Sequence, residues 1–394
     1  MMSVVALRET PSTKQDLDDL LPAITAEFAR SAARHDRDGS FPFENIDRLR
    51  RAGLLGLTAP AALGGGEADL PTALRVIRAV AKGEAATALV LVMQYLFHHS
   101  LAGGRAGWTD ALKRKVVDSA LREGALINAL RVEPELGTPA RGGLPATIAK
   151  RTASGWALSG RKIYSTGAPA LTWMVVHART DEESPRVGGF LVHRDWPGRR
   201  IEETWDHMGL RASGSHDVVF DETPVPFEHA LDLQAPGAPP NMDPSFASWS
   251  AVLTSGLYDA VAEAARDWFV DWAAHRVPGN LGAPLSTLPR YQDAVGRIDG
   301  LLLSNRALLE RASRSGASAQ EAGLVKHLVT ENAIAAVDIA VALSGNPGLS
   351  RANPLERHHR DVLCGRIHTP QADVVLTGAG KSAFAAHARA NAAT

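Results

Sequence analysis

The chain has 394 residues, with 42 Lys+Arg against 43 Asp+Glu and a formal charge of −1. That balance gives no basic excess for nucleic acid or an anionic membrane, and the length allows two or three units with sizeable cores. Cys364, the one cysteine, excludes an intramolecular disulfide and a multi-cysteine zinc site, and fits a reducing compartment.

Met1 to Thr13 has a short apolar run but no basic region ahead of a long hydrophobic stretch, so it does not read as a signal peptide. No run of roughly 18 uninterrupted apolar residues occurs, so no membrane span is expected and the expected location is the cytoplasm. Leu17, Leu20, Leu21, Ile24 and Phe28 recur at helical spacing. Pro42 can open a second helix that closes near Gly53. From Pro71 to about Leu101 the chain reads as a third, long apolar helix ending in Gln94, Tyr95, His98 and His99.

The middle third changes period. Short β-rich runs at Trp156–Leu158, Trp173–His177, Gly189–His193 and Val218–Phe220 are separated by Gly, Pro and charged turns. The Pro/Gly-rich Gln234–Pro244 reads as a linker. Helical periodicity then returns over about Ser245–His275, Pro289–Ser315, Gln320–Leu343 and beyond Gln371, enough for an antiparallel four-helix bundle. Three units follow: an N-terminal helical domain over 1–122, a small β-barrel-like domain over 123–233 and a C-terminal helical bundle over 234–394.

Four motifs fall in order along this frame. Met208-Gly209-Leu210-Arg211-Ala212-Ser213-Gly214-Ser215, running on to Val225-Pro226, resembles the signature of the acyl-CoA dehydrogenase superfamily. Arg131-Val132-Glu133-Pro134-Glu135-Leu136-Gly137-Thr138 is similar to that family's turn beside the flavin, though Val132 replaces a threonine and Pro139 an aspartate. Gly160-Arg161-Lys162-Ile163-Tyr164-Ser165-Thr166-Gly167 resembles a strand end that sets an aromatic against the flavin and a hydroxyl near its N5. Its Tyr-Ser-Thr-Gly is closest to the family's flavin-dependent monooxygenase branch, exemplified by dibenzothiophene monooxygenase. Ser344-Gly345-Asn346-Pro347-Gly348 resembles a helix break that touches the flavin, and Arg276 with Gln292 resembles a pair that holds the adenosine-diphosphate half of FAD across a subunit interface.

The resemblance implies a mainly helical fold with a central β-domain, FAD (or FMN) as cofactor and a homotetramer. It also implies Arg131, Val132, Gly137, Thr138, Tyr164 and Ser165 as cofactor contacts, together with Thr166, Arg276, Gln292, Ser344 and Gly345.

Dehydrogenation in this family needs a carboxylate to take the proton α to a thioester. In most members a glutamate follows an Arg-Asp pair matching Arg360-Asp361, at a spacing that here falls on Thr369. In a minority it comes from the first bundle helix, near Ser245–Ser248, where Ser245-Phe246-Ala247-Ser248-Trp249 has no acid. Thr369 is too weak a base to substitute unaided.

The Arg-x-x-Arg-Asp…His arrangement is instead similar to monooxygenases of this fold, which act through a flavin–oxygen adduct. These usually take reduced flavin from a separate reductase, and their partners are dioxygen and a small-molecule substrate. His368 is the first candidate for the residue that gives or takes a proton there, and His98 or His99 the second, because imidazole titrates near neutrality.

The expected activity is a monooxygenase or oxidase acting on a small aromatic, heteroaromatic or CoA-linked metabolite. The alternatives are a divergent acyl-CoA dehydrogenase with another base, or a non-catalytic flavin or CoA-thioester binding protein. Scattered histidines without carboxylates at ligand spacing predict no metal site.

Overall fold

The computed structural model describes residues 14–102, 107–136, 143–238, 243–314 and 316–392. Gly137 and Thr138, two of the expected cofactor contacts, lie outside them. Helix α1 (Lys14–Asp38) buries Leu17, Leu21, Ile24 and Phe28, the residues whose spacing announced it. Each such side chain removed from water contributes roughly 1.5–3 kcal/mol. Helix α2 (Phe43–Arg51) follows Pro42.

The expected third helix is two. Helix α3 (Leu70–Gly83) ends at Glu84, whose extended backbone breaks the run, and α4 (Ala85–Ser100) starts directly after it. The buried Glu84 carboxylate accepts from Ala86 N at 3.0 Å, Thr87 N at 2.6 Å and Thr87 Oγ1 at 2.6 Å. An acid inside an apolar stretch thus serves as a helix cap. Helix α5 (Asp110–Glu123), which the apolar spacing did not single out, leads into the β-domain.

Eight strands form one sheet: β1 (Leu126–Leu130), β2 (Ile148–Arg151), β3 (Gly155–Lys162), β4 (Leu171–Thr180), β5 (Val187–His193), β6 (Arg199–Glu202), β7 (Asp217–Pro226) and β8 (Ala230–Gln234). Their order is β6-β7-β3-β2-β4-β5-β8, with β1 paired to β4. β1 and β2 both run parallel to β4, β1 beside its first half and β2 beside its end. The alternating apolar runs read from the sequence lie in β3, β4, β5 and β7. The strands it missed are short (β2, β6) or lack alternation (β1, β8).

Helices α6 (Phe246–His275), α7 (Pro289–Arg314) and α8 (Ala319–Ser344) form the bundle with the short α9 (Asn346–Leu349) and α10 (Leu355–Leu363). By length and composition α8 is apolar enough to cross a membrane. It packs instead against α6 and α7, with Val329, Ala333 and Val337 buried. Helix α11 (Ala372–Ala392) leans on α8 near Val375 and Gly323, and most of its other side chains are exposed.

Polar ties hold the units in register. Asp259 of α6 is buried, pairs with Arg78 of α3 and accepts from Asn305 Nδ2 of α7 at 2.8 Å. Arg360 of α10 pairs with Asp36 of α1 at 2.6 Å and donates to Met208 O at 2.7 Å. Its neighbour Asp361 accepts from Leu210 N at 2.7 Å. Arg360-Asp361 therefore clamps the Met208–Arg211 loop to both helical units. Gly209 is needed there, since a Cβ would stand 2.4 Å from Arg360 O.

Candidate active site

Glu133 and Lys162 organise the region from beneath. Both are buried, 1% and 0% exposed, and their charged atoms meet at 2.6 Å. Glu133 also accepts from Ala146 N at 2.6 Å and Thr147 N at 3.0 Å, and Lys162 donates to His177 O. The Lys162 ammonium and these donors hold the Glu133 carboxyl below its ordinary range against the opposing effect of burial. This pair fixes the 131–136 turn to β3, with Ile163 N donating to Val132 O at 3.0 Å. Arg131 is exposed beside it. Sequence reasoning quoted both ionic residues in motifs and assigned them no role. A full charge at an inward strand position was the available signal.

At the end of β3 the backbone of Tyr164 turns left-handed, φ 55°, and its ring is 53% exposed. It meets Trp205 and His207 edge-on, with centroids 6.3 and 5.8 Å away, and those two rings stack at 3.7 Å. An exposed aromatic braced by two others is a ready face for a planar ligand.

Behind it, Ser213 and Ser215 share a hydrogen bond of 2.8 Å, and Ser215 Oγ donates to Thr166 Oγ1 at 3.1 Å. A hydroxyl that accepts in this way keeps its own proton to donate onward. Asn128 Nδ2 pins Thr166 O at 3.1 Å. Ser165 Oγ is buried and has no partner among the described residues. The exposed ring, the donating Thr166 and the orphaned Ser165 hydroxyl fit the edge and face of an isoalloxazine, so the residues present suit a flavin.

The remaining cofactor candidates are less engaged. Ser344 Oγ donates to Ala340 O at 2.8 Å, within its own helix, and Gly345 follows at φ 60°, where a Cβ would meet nothing. Backbone conformation, not space, calls for glycine there. Arg276 and Gln292 are exposed, and Gln292 Nε2 of α7 donates to Ser286 O at 3.0 Å in the turn ahead of that helix.

The histidines separate clearly. His98 is fully buried, its Nε2 lies 3.3 Å from Gln94 Nε2, and burial lowers its pKa to about 4. Gln94 in turn accepts from Ile127 N at 2.9 Å, so His98 belongs to the seam between α4 and β1. His99 turns the other way, toward the first turn of α6. Its Nε2 is 2.8 Å from Ser245 Oγ, and its ring stacks on Trp249 at 3.8 Å and 13°.

His368 is half-buried, its Nδ1 lies 2.6 Å from Tyr258 Oη of α6, and burial beside Lys326 lowers its pKa to about 4. Lys326 Nζ donates to the carbonyls of Gly365 and His368, both at 2.7 Å. Thr369 is exposed. Trp249 and Tyr258 are nine residues apart on α6, so the two histidine contacts lie about 13 Å apart along the helix axis. Burial pushes the Cys364 thiol up to about 12, which leaves it inert as a nucleophile.

The segment around Ser245 does have an acid close by. Asp243 Oδ1 accepts from Ser245 N at 2.7 Å and Ser245 Oγ at 2.6 Å. It stands just ahead of residues 245–249, where the alternative seat of the base falls.

Three family models cover the chain in the order of its units. The acyl-CoA dehydrogenase N-terminal domain matches residues 14–122, the middle domain 131–223 and the C-terminal domain 260–371. The chain belongs to the acyl-CoA dehydrogenase superfamily. The acyl-CoA dehydrogenase-like YdbM of Bacillus subtilis (strain 168) is 36% identical over 370 residues, 92% of this chain and 94% of that protein. L-evernosamine nitrososynthase of a Micromonospora species is 32% identical over 375 residues, 89% and 86% of the two chains. Among solved structures, KijD3 in complex with FMN and a dTDP-linked amino-keto sugar superposes with a TM-score of 0.82 at 30% identity, covering 96% and 95%. Superfamily membership therefore joins two kinds of relative, named for different reactions.

Proposed function

We propose that this superfamily member is a flavin-dependent oxidoreductase that uses dioxygen, as a monooxygenase or oxidase, on a small metabolite. The observation that carries this reading is the absence of a free carboxylate at either seat of the family's base. The first holds the exposed hydroxyl of Thr369. Beside the second, Asp243 Oδ1 accepts both the backbone N–H and the hydroxyl of Ser245, just ahead of the helix.

Bound flavin would supply two-electron redox chemistry and, once reduced, reaction with dioxygen. The chain's own residues hold and serve it. Tyr164 offers a ring face, Thr166 donates a hydroxyl proton, and Glu133 with Lys162 fixes the turn above. His99 and His368 handle protons, and Trp249 and Tyr258 keep their rings in place. The nitrososynthase likeness supports an amine-bearing substrate beside the aromatic, heteroaromatic and CoA-linked classes. FAD or FMN, a reductase partner and a homotetramer belong to the same reading. Exposed apolar side chains on and beside α11 (Ile367 73%, Phe384 79%) favour assembly.

A divergent dehydrogenase is the second reading, favoured by the likeness to YdbM and by Asp243. The test is to reduce the bound flavin anaerobically and then admit oxygen with candidate amines or heteroaromatics. Oxygen consumed with product formed is the expected result. Bleaching of the flavin by an acyl-CoA without oxygen would overturn the reading in favour of dehydrogenation. No response to reductant, oxygen or ligand would make the chain a binding protein.

A further inference from the structure

A directed chain of hydrogen bonds runs from Asp243 through Ser245 to His99. The Ser245 hydroxyl lies 2.6 Å from Asp243 Oδ1. Two oxygens that close need a proton between them, and a carboxylate has none at neutral pH, so the hydroxyl donates it. A hydroxyl has only one hydrogen, so toward His99 Ser245 Oγ can only accept. His99 Nε2, 2.8 Å away, must therefore carry the ring hydrogen. The neutral ring is then bare at Nδ1, for which no hydrogen bond is present among the described residues.

Stacking on Trp249 holds the ring in one plane. Burial lowers the His99 pKa and Asp243 opposes it, so the ring is neutral near pH 7 and able to accept. Among the described residues, Asp243 is the charged group that acts on it. Ser245, just ahead of α6, and Trp249 of α6 are neutral, and His98 of α4 is turned into the core.

We propose that His99 is the proton acceptor of the active site, and that Ser245 and Asp243 are positioning residues that lock its Nε2–H tautomer. The acceptor missing from the first turn of α6 is thus supplied by the facing helix. For a substrate ammonium, an N–H bond breaks, an Nδ1–H bond forms, and the electron pair stays on the substrate nitrogen. The positive charge passes to the imidazolium, which keeps its Nε2–H on Ser245 and faces the Asp243 carboxylate across the hydroxyl. The acceptor role rests on the flavin-site reading; the tautomer does not.

The experiment is a long-range proton–nitrogen correlation spectrum of the full-length flavoprotein labelled with ¹⁵N-histidine, with His99 assigned by its loss in His99→Gln. The expected spectrum has Nε2 protonated and Nδ1 bare. Ser245→Ala should lose that preference, while Ser245→Thr, which keeps a hydroxyl, should restore it. Asp243→Asn should keep the tautomer but lower the His99 pKa, moving the acid limb of the kcat–pH profile to lower pH. Ser245→Ala should also lower kcat at least tenfold with KM nearly unchanged.

A wild-type Nδ1–H tautomer, or a preference unchanged in Ser245→Ala, would overturn the relay. The expected tautomers with wild-type kcat in Ser245→Ala would overturn the acceptor role. An intact relay in a protein that uses no oxygen would sink the oxygenase reading and leave the tautomer lock standing.

Discussion

Tyr258 Oη lies 2.6 Å from His368 Nδ1, joining the middle of the first bundle helix to the segment that follows Arg360-Asp361. Burial raises the phenol pKa well above 10, so Tyr258 keeps its proton. The imidazole is its one hydrogen-bond partner among the described residues, and a phenol is the better donor of the two. His368 then carries its hydrogen on Nε2 and offers a donor there. Tyr258→Phe should leave Nδ1 unsatisfied at a cost of about 1–3 kcal/mol. It should retain flavin yet lower the coupling of oxygen use to product by up to about a hundredfold, the lower edge for a positioned acid. An oxygen electrode read beside product yield measures this. Full coupling in the variant would remove the dyad from the chemistry.

Glu133 and Lys162 predict a large loss of stability from a single change. Lys162→Met leaves a buried carboxylate without its cation, which costs about 3–5 kcal/mol. Pairing it with Glu133→Gln should recover part of that loss, because the uncompensated charge is then gone. Urea unfolding of both single variants and the double variant decides the matter. A double variant destabilised by the sum of its two single variants would mean that the pair is not coupled.

Much of this frame was legible in the sequence because periodicity reports burial. Leu17 to Phe28 and the alternating β3, β4, β5 and β7 announced themselves. The break at Glu84 did not, since propensity could not show that its carboxylate caps the next helix. At the site, motif spacing located Tyr164, Thr166 and His368 but could not direct their side chains. Three-dimensional proximity separated His98, held by Gln94 in the core, from His99, held by Ser245 146 residues along the chain. Asp243 was passed over because its importance lies in a hydrogen bond that crosses the start of a helix.

Tyr164 tests the flavin platform independently of turnover. Its ring is 53% exposed, so Tyr164→Ala should change the stability of the flavin-free protein by no more than about 0.5 kcal/mol. Flavin affinity should nevertheless fall, by about 0.5–1.5 kcal/mol or more for one lost aromatic contact. Titration followed by flavin fluorescence gives the affinity and thermal unfolding the stability. Unchanged affinity would place the cofactor elsewhere.

Stability should fall on mild acidification, and the histidines whose pKa burial lowers set the direction. His98, His177 and His368 are lowered from an ordinary 6.5 to about 4, and His358 to about 3, all chiefly by burial. A histidine lowered in the fold binds fewer protons there than in the unfolded chain. Its stabilisation is complete above about pH 6.5 and is lost as pH falls toward the folded value. Asp361, raised by burial from 3.8 to about 7, acts oppositely and gains stability as pH falls through 7. Four groups oppose one, so the thermal midpoint should drop between pH 7 and pH 5, where most carboxylates are still ionised. A fully buried histidine contributes roughly 1–2 kcal/mol to that drop. His358→Gln should make the dependence shallower, because its ring is buried and takes no part in the proposed chemistry. A midpoint that rises on acidification would show that Asp361 outweighs the histidines.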